Sequence, residues 1–319
     1  MDVNAIILAA GKGTRMKSGL LKVAHEVAGK SIVRYVVDAV SDIGASNIYV
    51  VVGHQAETIK ERVDHPNATF VTQEEQLGTG HAVQQVTPHF DGKPDSTVLI
   101  LAGDCPLIKP RTLEKLIAAH EESNASATIL STNMADPAKY GRILRGKMGT
   151  VTGIKEAKDC SDKEIKIKEI NTGVYAFRAS DLFTHLNSLD TNNKQGEYYL
   201  TDIIHILKEK GEVVGAYVLE DPDQAVGINT RMDLAKTNSI LYQENNKHFM
   251  EDGVTILDPN STFIDSTVKI GRDTIIGPFT RLQGNTIIGS GCEIVSHCYI
   301  KNGSIENNTV VAPFTSISE

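Results

Sequence analysis

The chain has 319 residues, 40% of them apolar, and carries 32 Lys and Arg against 40 Asp and Glu. This length is enough to bury more than one core, and the mildly acidic balance argues against a nucleic-acid binder that relies on a broad basic surface. No apolar run approaches the roughly 18–20 residues that span a bilayer, so integral membrane association is not expected. Asp2 without a basic start does not read as a secretory leader. The four cysteines, Cys105, Cys160, Cys292 and Cys298, lack the spacing of a zinc site or a disulfide framework. Reduced thiols and a cytoplasmic location are the expectation.

The apolar run 5–10 reads as a buried strand that opens into Gly11-Lys12-Gly13-Thr14-Arg15-Met16, with Lys22 six residues further on. Gly11 and Gly13 let the backbone turn sharply and close its N–H groups on an anion. Lys12, Arg15 and Lys22 surround that cradle with positive charge, so a phosphate chain is the predicted ligand. The Gly-Lys-Ser/Thr ending of an ATP-binding P-loop is missing. Met16 occupies the place of the third glycine in a dinucleotide fingerprint. The Gly-x-Gly-Thr-Arg-Met string followed by a lysine is similar to the signature of sugar-1-phosphate nucleotidylyltransferases.

Further along, Ser31 is placed to cap a helix with Ile32, Val33, Val36, Val37 and Val40 on its apolar side. Residues 48–52, 98–102 and 128–131 read as strands, and Pro110 suits the first turn of a helix holding Leu113, Leu116 and Ile117. This alternation predicts a mostly parallel sheet with helices on both faces, its ligands at the carboxyl ends of the strands. Within it, the segment Gln73-Glu74-Glu75-Gln76-Leu77-Gly78-Thr79-Gly80-His81 is rich in amides, hydroxyl and glycine. Such groups suit a pyrimidine edge; a plain helix-entry loop is the alternative. Asp104 follows the run 98–103 and is a natural Mg²⁺ ligand, or else a cap on the turn at Pro106. Tyr140-Gly141-Arg142, Glu156, Glu169-Ile170-Asn171 and the segment 195–202 supply polar groups fit for sugar hydroxyls and an acetamido group.

Residues 230–248 read as a connecting helix, with Leu234 and Leu241 seven apart. Beyond residue 252 the period becomes six. Ile264, Ile270, Ile276, Leu282, Ile288, Ile294 and Ile300 are evenly spaced, and after a one-residue slip Ile305, Val311 and Ile317 continue the series. A small or β-branched residue stands two places before each, Cys292 and Cys298 among them. This is the hexapeptide repeat of a β-helix, and it resembles the left-handed kind. Packing is the role expected of those two cysteines.

The order of these motifs resembles the bacterial bifunctional N-acetylglucosamine-1-phosphate uridylyltransferase/glucosamine-1-phosphate acetyltransferase family along the whole chain. The resemblance implies a Rossmann-like α/β nucleotidyltransferase domain over 1–228, a connecting helix over 229–251 and a short left-handed β-helix over 252–319. It implies Arg15 and Lys22 as catalytic residues, the first on the UTP phosphates with Gly11 and Gly13, the second on substrate phosphate. Leu8 and Ala9 would also line the nucleotide site, with Gln73, Gly78 and Thr79 reading uracil. Gly141, Glu156 and Asn171 would hold N-acetylglucosamine, and Asp104 and Asn229 would bind Mg²⁺. UTP and N-acetylglucosamine 1-phosphate are the implied substrates, and a homotrimer through the β-helix the implied assembly. Leu21 departs from the family's usual proline before the lysine, which leaves the loop less pre-set. The family's acetyl-transfer motifs lie beyond the ten hexads present, so uridylyl transfer without acetyl transfer is expected. Transfer to another sugar phosphate or base, and a non-catalytic nucleotide-sugar-binding scaffold, remain alternatives.

Overall fold

Val3–Leu8 forms β1, which has parallel neighbours on both sides, and its unbroken apolar character follows from that enclosure. The computed structural model describes residues 2–11, 13–90, 92 and 94–318, with residue 148 described by its backbone alone. After β1 come the hairpin strands β2 (Glu26–Val27) and β3 (Lys30–Ser31), then α1 (Ile32–Asp42), β4 (Asn47–Val52), α2 (Ala56–Val63) and β5 (Ala68–Thr72). Next are α3 (Thr79–Gln84), β6 (Thr97–Ala102), α4 (Pro110–Glu122), β7 (Ala127–Asn133), β8 (Arg142–Arg145) and β9 (Val151–Lys155). The series closes with β10 (Glu169–Arg178), α5 (Ala179–His185), α6 (Asp202–Glu209), β11 (Val214–Leu219) and α7 (Arg231–Glu251). No helix among the described residues is long and apolar enough to cross a membrane.

The chain forms two compact units. The first holds the residues up to Ala24 together with Ile32–Gly227; the second holds His25–Ser31 and everything from Ile228. Residues 25–31 are thus a piece of the second unit inserted into the sequence of the first.

In the first unit the sheet order is β11-β7-β10-β6-β1-β4-β5, with the β8–β9 hairpin attached to β10. The strands are parallel as the sequence predicts, except that β10 runs antiparallel between β6 and β7 and the hairpin follows it. Successive residues of β1 serve opposite faces. Ala5 and Ile7 join a core with Val33, Val36 and Val40 of α1, Ile59 of α2 and Leu113 of α4. Ile6 joins the other core, with Val83 of α3, Leu182 of α5 and Ile203 of α6.

In the second unit Thr230 caps α7 by accepting from Asp233 N–H, and the Asp233 carboxylate accepts in return from the N–H of Thr230. Asn246, fully buried, donates from α7 to the carbonyls of Pro259 (3.0 Å) and Thr262 (2.9 Å). The following strands stack into three parallel ladders, and the inward aliphatic column is the predicted one. Ile256 lies opposite Ile276, Ile276 opposite Ile294 and Ile294 opposite Val311, so successive coils use 20, 18 and 17 residues. The slip falls beside Gly303, where a Cβ would stand 2.9 Å from Ile317 Cγ2 and 3.1 Å from Ile300 Cγ2. Only glycine fits that shortened corner. Phe279, His297 and Phe314 all adopt left-handed backbone at one corner, and their rings stack with centroids 4.9 Å apart. Cys292 and Cys298 are buried, free and packed.

Candidate active site

β1 and β6 are paired in parallel with Leu8 beside Ala102, so their carboxyl ends open on one edge of the sheet. Gly103 permits that approach: a Cβ there would stand 2.9 Å from the Leu8 carbonyl oxygen, which accepts the Gly103 N–H at 3.0 Å. A cleft of about 370 Å³ follows, lined by Leu8, Ala9, Gly11, Lys22, Gln73, Gly78, Thr79 and Asp104. Gly13 shapes the loop from behind. Its φ is +61°, and a Cβ there would lie 2.4 Å from Lys22 Cβ. Lys22 pairs with the Asp104 carboxylate, and both side chains are largely covered, at 15% and 18% exposed. Gly227 lies against the same carboxylate, with its missing Cβ 3.2 Å from Asp104 Oδ1. Lys12 lies outside the described residues.

The end of the cleft around Gln73 is held by short bonds. Gln73 is 2% exposed, and its Nε2 donates to the Gly78 carbonyl at 3.1 Å and faces His81 Nδ1 at 3.0 Å. Oε1 of Gln73 makes no hydrogen bond among the described residues. Gly78 has φ +119°, and a Cβ would meet the Tyr198 carbonyl oxygen at 2.5 Å. Thr79 Oγ1 accepts from Leu200 N–H at 3.1 Å, fastening the segment 195–202 to the start of α3.

Gly141, Glu156 and Asn171 also come together. Asn171 N–H donates to the Gly141 carbonyl at 2.9 Å, and Glu156 Oε1 lies 3.5 Å from the Cβ position of Gly141. Asn171 sits at the bulge of β10 and donates through Nδ2 to Tyr175 Oη at 2.6 Å. Burial pushes the Glu156 carboxyl up, and Asp159, Asp202 and Glu197 act in the same direction against the Thr201 hydroxyl at 3.4 Å. Arg15 and Glu156 line a second cavity of about 640 Å³ with Lys139, Lys158 and Gln195.

Residues 5–167 match the family model of the MobA-like NTP transferase domain, and residues 267–302 match the bacterial transferase hexapeptide (six repeats). The Bifunctional protein GlmU of Enterococcus faecalis is 47% identical over 307 residues, which cover 96% of this chain and 67% of that protein. The chain belongs to the GlmU family. The Bifunctional protein GlmU of Syntrophomonas wolfei is 49% identical, with 92% of this chain and 65% of that protein covered. That of Listeria welshimeri is 47% identical, with 94% and 65% covered. The chain thus spans about two thirds of the length of these GlmU proteins.

For this GlmU-family chain the sheet edge gathers Leu8, Ala9, Gly11, Lys22, Gln73, Gly78, Thr79 and Asp104 in one cleft, and Arg15 lines the other with Glu156. Asn229 belongs to the second unit, where its N–H donates to the Asp233 carboxylate at 2.9 Å. Among the described residues no three His, Cys, Asp or Glu side chains converge as a metal-binding set. Asp104 nevertheless fits Mg²⁺, a hard cation that keeps water and substrate phosphate as most of its ligands and needs few from protein. The glycine at 227 leaves its carboxylate open on that side. Lys139 and Lys158 were not among the residues the sequence pointed to; Gln76 stood there only within a longer string, and Glu197 read equally as a capping group. Gln76 Nε2 donates to the Gln73 carbonyl at 3.1 Å, and both Gln76 and Glu197 line the cleft that holds Lys22 and Asp104.

Proposed function

We propose that this chain catalyses transfer of the uridylyl group of UTP to N-acetylglucosamine 1-phosphate, giving UDP-N-acetylglucosamine and pyrophosphate. The observation that carries the reading is the Lys22–Asp104 pair in the cleft, with the phosphate loop on one side and the Gln73 amide on the other. A phosphate oxygen of the sugar phosphate attacks the α-phosphorus of UTP, the bond to the β-phosphate oxygen breaks, and pyrophosphate leaves with that electron pair. Both reactants are anions, so the residues act by aligning them and neutralising charge. Lys22 meets substrate phosphate, and Gly11, Gly13 and Arg15 hold the triphosphate. Asp104 would hold Mg²⁺, whose chemistry there is to neutralise charge on phosphate oxygens. Gln73 is oriented with Oε1 left for a donor on the base, which suits the N3–H of uracil, and Gly78 and Thr79 complete that pocket. Gly141, Glu156 and Asn171 take the sugar. Four free thiols fit a reducing compartment, and the cytoplasm is the proposed location. The assembly proposed is a trimer formed through the β-helix.

The test is pyrophosphate release with a panel of nucleoside triphosphates and sugar phosphates. UTP with N-acetylglucosamine 1-phosphate should give the highest kcat/KM. A higher value for another pair would move the chain to a neighbouring nucleotidylyltransferase activity. Release with no pair would leave a nucleotide-sugar-binding protein.

A further inference from the structure

We infer that Arg142 is a positioning residue that shapes the wall of the cavity holding Arg15 and Glu156, acting through backbone carbonyls and not through contact with substrate. The inference rests on the sugar-binding role of Glu156 proposed above. Tyr140-Gly141-Arg142 reads in the sequence as a source of polar groups for a sugar, but the Arg142 side chain is turned inward and 2% exposed. Among the described residues no carboxylate pairs with it; its bonds go to three backbone carbonyls. Nε and Nη2 both donate to the Ile165 carbonyl, at 3.3 and 3.2 Å. Nη2 also donates to the Ala138 carbonyl at 3.2 Å, and Nη1 donates to that of Tyr140. A charge buried this far from water is tolerated only with such bonds. The planar fork of a guanidinium, with five N–H donors, suits acceptors set around it.

The backbone so gathered is the wall of the cavity. Ala138 and Lys139 stand before β8, Ile165 lies in the 3₁₀ turn Glu164–Lys166 after β9, and all three line the cavity with Arg15 and Glu156. Neither segment has much of its own to bury at these positions. Ala138 and Lys139 are exposed, Ala138 with a left-handed φ of +42°, and Ile165 is 38% exposed. Each segment keeps a local turn: Tyr140 N–H donates to the Pro137 carbonyl at 3.1 Å, and Ile165 N–H to the Ser161 carbonyl at 2.9 Å. A turn fixes the shape of one segment and not its distance from another. The guanidinium joins the two segments from beneath, and that tie sets how far apart Lys139 and Ile165 stand across the cavity. Arg15 stands on a separate loop that takes no bond from Arg142, and the cleft lined by Gln73, Gly78 and Thr79 takes none either. Loss of the tie should therefore fall on the sugar phosphate and spare UTP.

The experiment uses the whole chain with UTP and N-acetylglucosamine 1-phosphate, and reads kcat, both KM values and amide hydrogen exchange at Tyr140 and Ile165. Arg142→Lys keeps the charge but loses the fork, and Arg142→Gln keeps an amide donor pair without the charge. Both should speed exchange at the two positions. Both should also raise the KM for the sugar phosphate about fivefold or more, with kcat and the KM for UTP within about threefold of wild type. The Gln variant buries no charge, so it decides should the Lys variant fail to fold by circular dichroism. A smaller rise in the sugar-phosphate KM of a folded variant overturns the inference, as do equal rises in both KM values or a loss carried by kcat. Unchanged exchange overturns it too. So does failure of both variants to fold, since the tie would then serve the fold at large and not the cavity. A wild-type chain that releases no pyrophosphate overturns the proposed activity instead, and hydrogen exchange still reads the tie, so the two failures are distinct.

Discussion

At the scale of single residues, the cleft makes Lys22 and Gly13 two halves of one arrangement. Lys22→Ala removes the charge that the proposed reaction sets on substrate phosphate and should lower kcat/KM on the order of 10²-fold, while the folded core is untouched. Gly13→Val should cost at least as much although position 13 carries no charge. Its side chain would need the space of Lys22 Cβ, 2.4 Å away, and a backbone with φ of +61°. Initial rates of pyrophosphate release check both, and a Gly13→Val enzyme keeping more than a third of wild-type kcat/KM would refute the coupling. The residues legible in the sequence were those in dense local strings: Gly11 to Lys22, Gln73 to Thr79, Asp104. Their chemistry is concentrated within a few positions, and a strand end brings each string to the cleft. Lys139 and Lys158 carried no such signal. A surface lysine has neither period nor motif, and only the meeting of the segments around Tyr140 and Glu156 puts the two beside Arg15.

At the scale of elements, the hexads were the clearest text in the chain, because a six-residue period belongs to neither helix nor ordinary strand. Ile276 is fully buried in the inward column and Arg272 is exposed on the same coil. Ile276→Glu should therefore destabilise the β-helix by several kcal/mol, an unpaired carboxylate being put among aliphatic side chains. Arg272→Glu should stay within about 0.5 kcal/mol. Urea titrations of the two variants provide the comparison, and equal midpoints would contradict the inward column. Two elements were less legible. The direction of β10 is not written in an apolar run, since a buried strand reads alike whether its neighbours are parallel or antiparallel. The hairpin at 25–31 was hidden because its strands are two residues long and its turn begins with alanine where glycine or asparagine is usual.

At the scale of the whole molecule, the sequence showed two architectures but not that a piece of the second is spliced into the first. Periodicity reveals what a segment is, not which core it joins. The proposed self-association also belongs here. Phe279 and Phe314, whose rings both pack on His297, are 60% and 76% exposed, Val310 is 67% exposed, and exposed apolar surface commonly marks an interface. Val310→Lys with Phe314→Lys should shift a trimer toward monomer in sedimentation velocity, with activity per chain retained. A wild-type chain that sediments as monomer at every concentration would remove the trimer. The unequal coils have a broader meaning. Coils of 20, 18 and 17 residues keep one ladder because surplus or deficit is confined to the corners. Each rung rises by one strand spacing, about 4.8 Å, whatever number of residues it consumes. The reach of such a molecule is therefore counted in rungs: insertions and deletions at a corner leave it unchanged, and evolution can lengthen it only a whole step at a time.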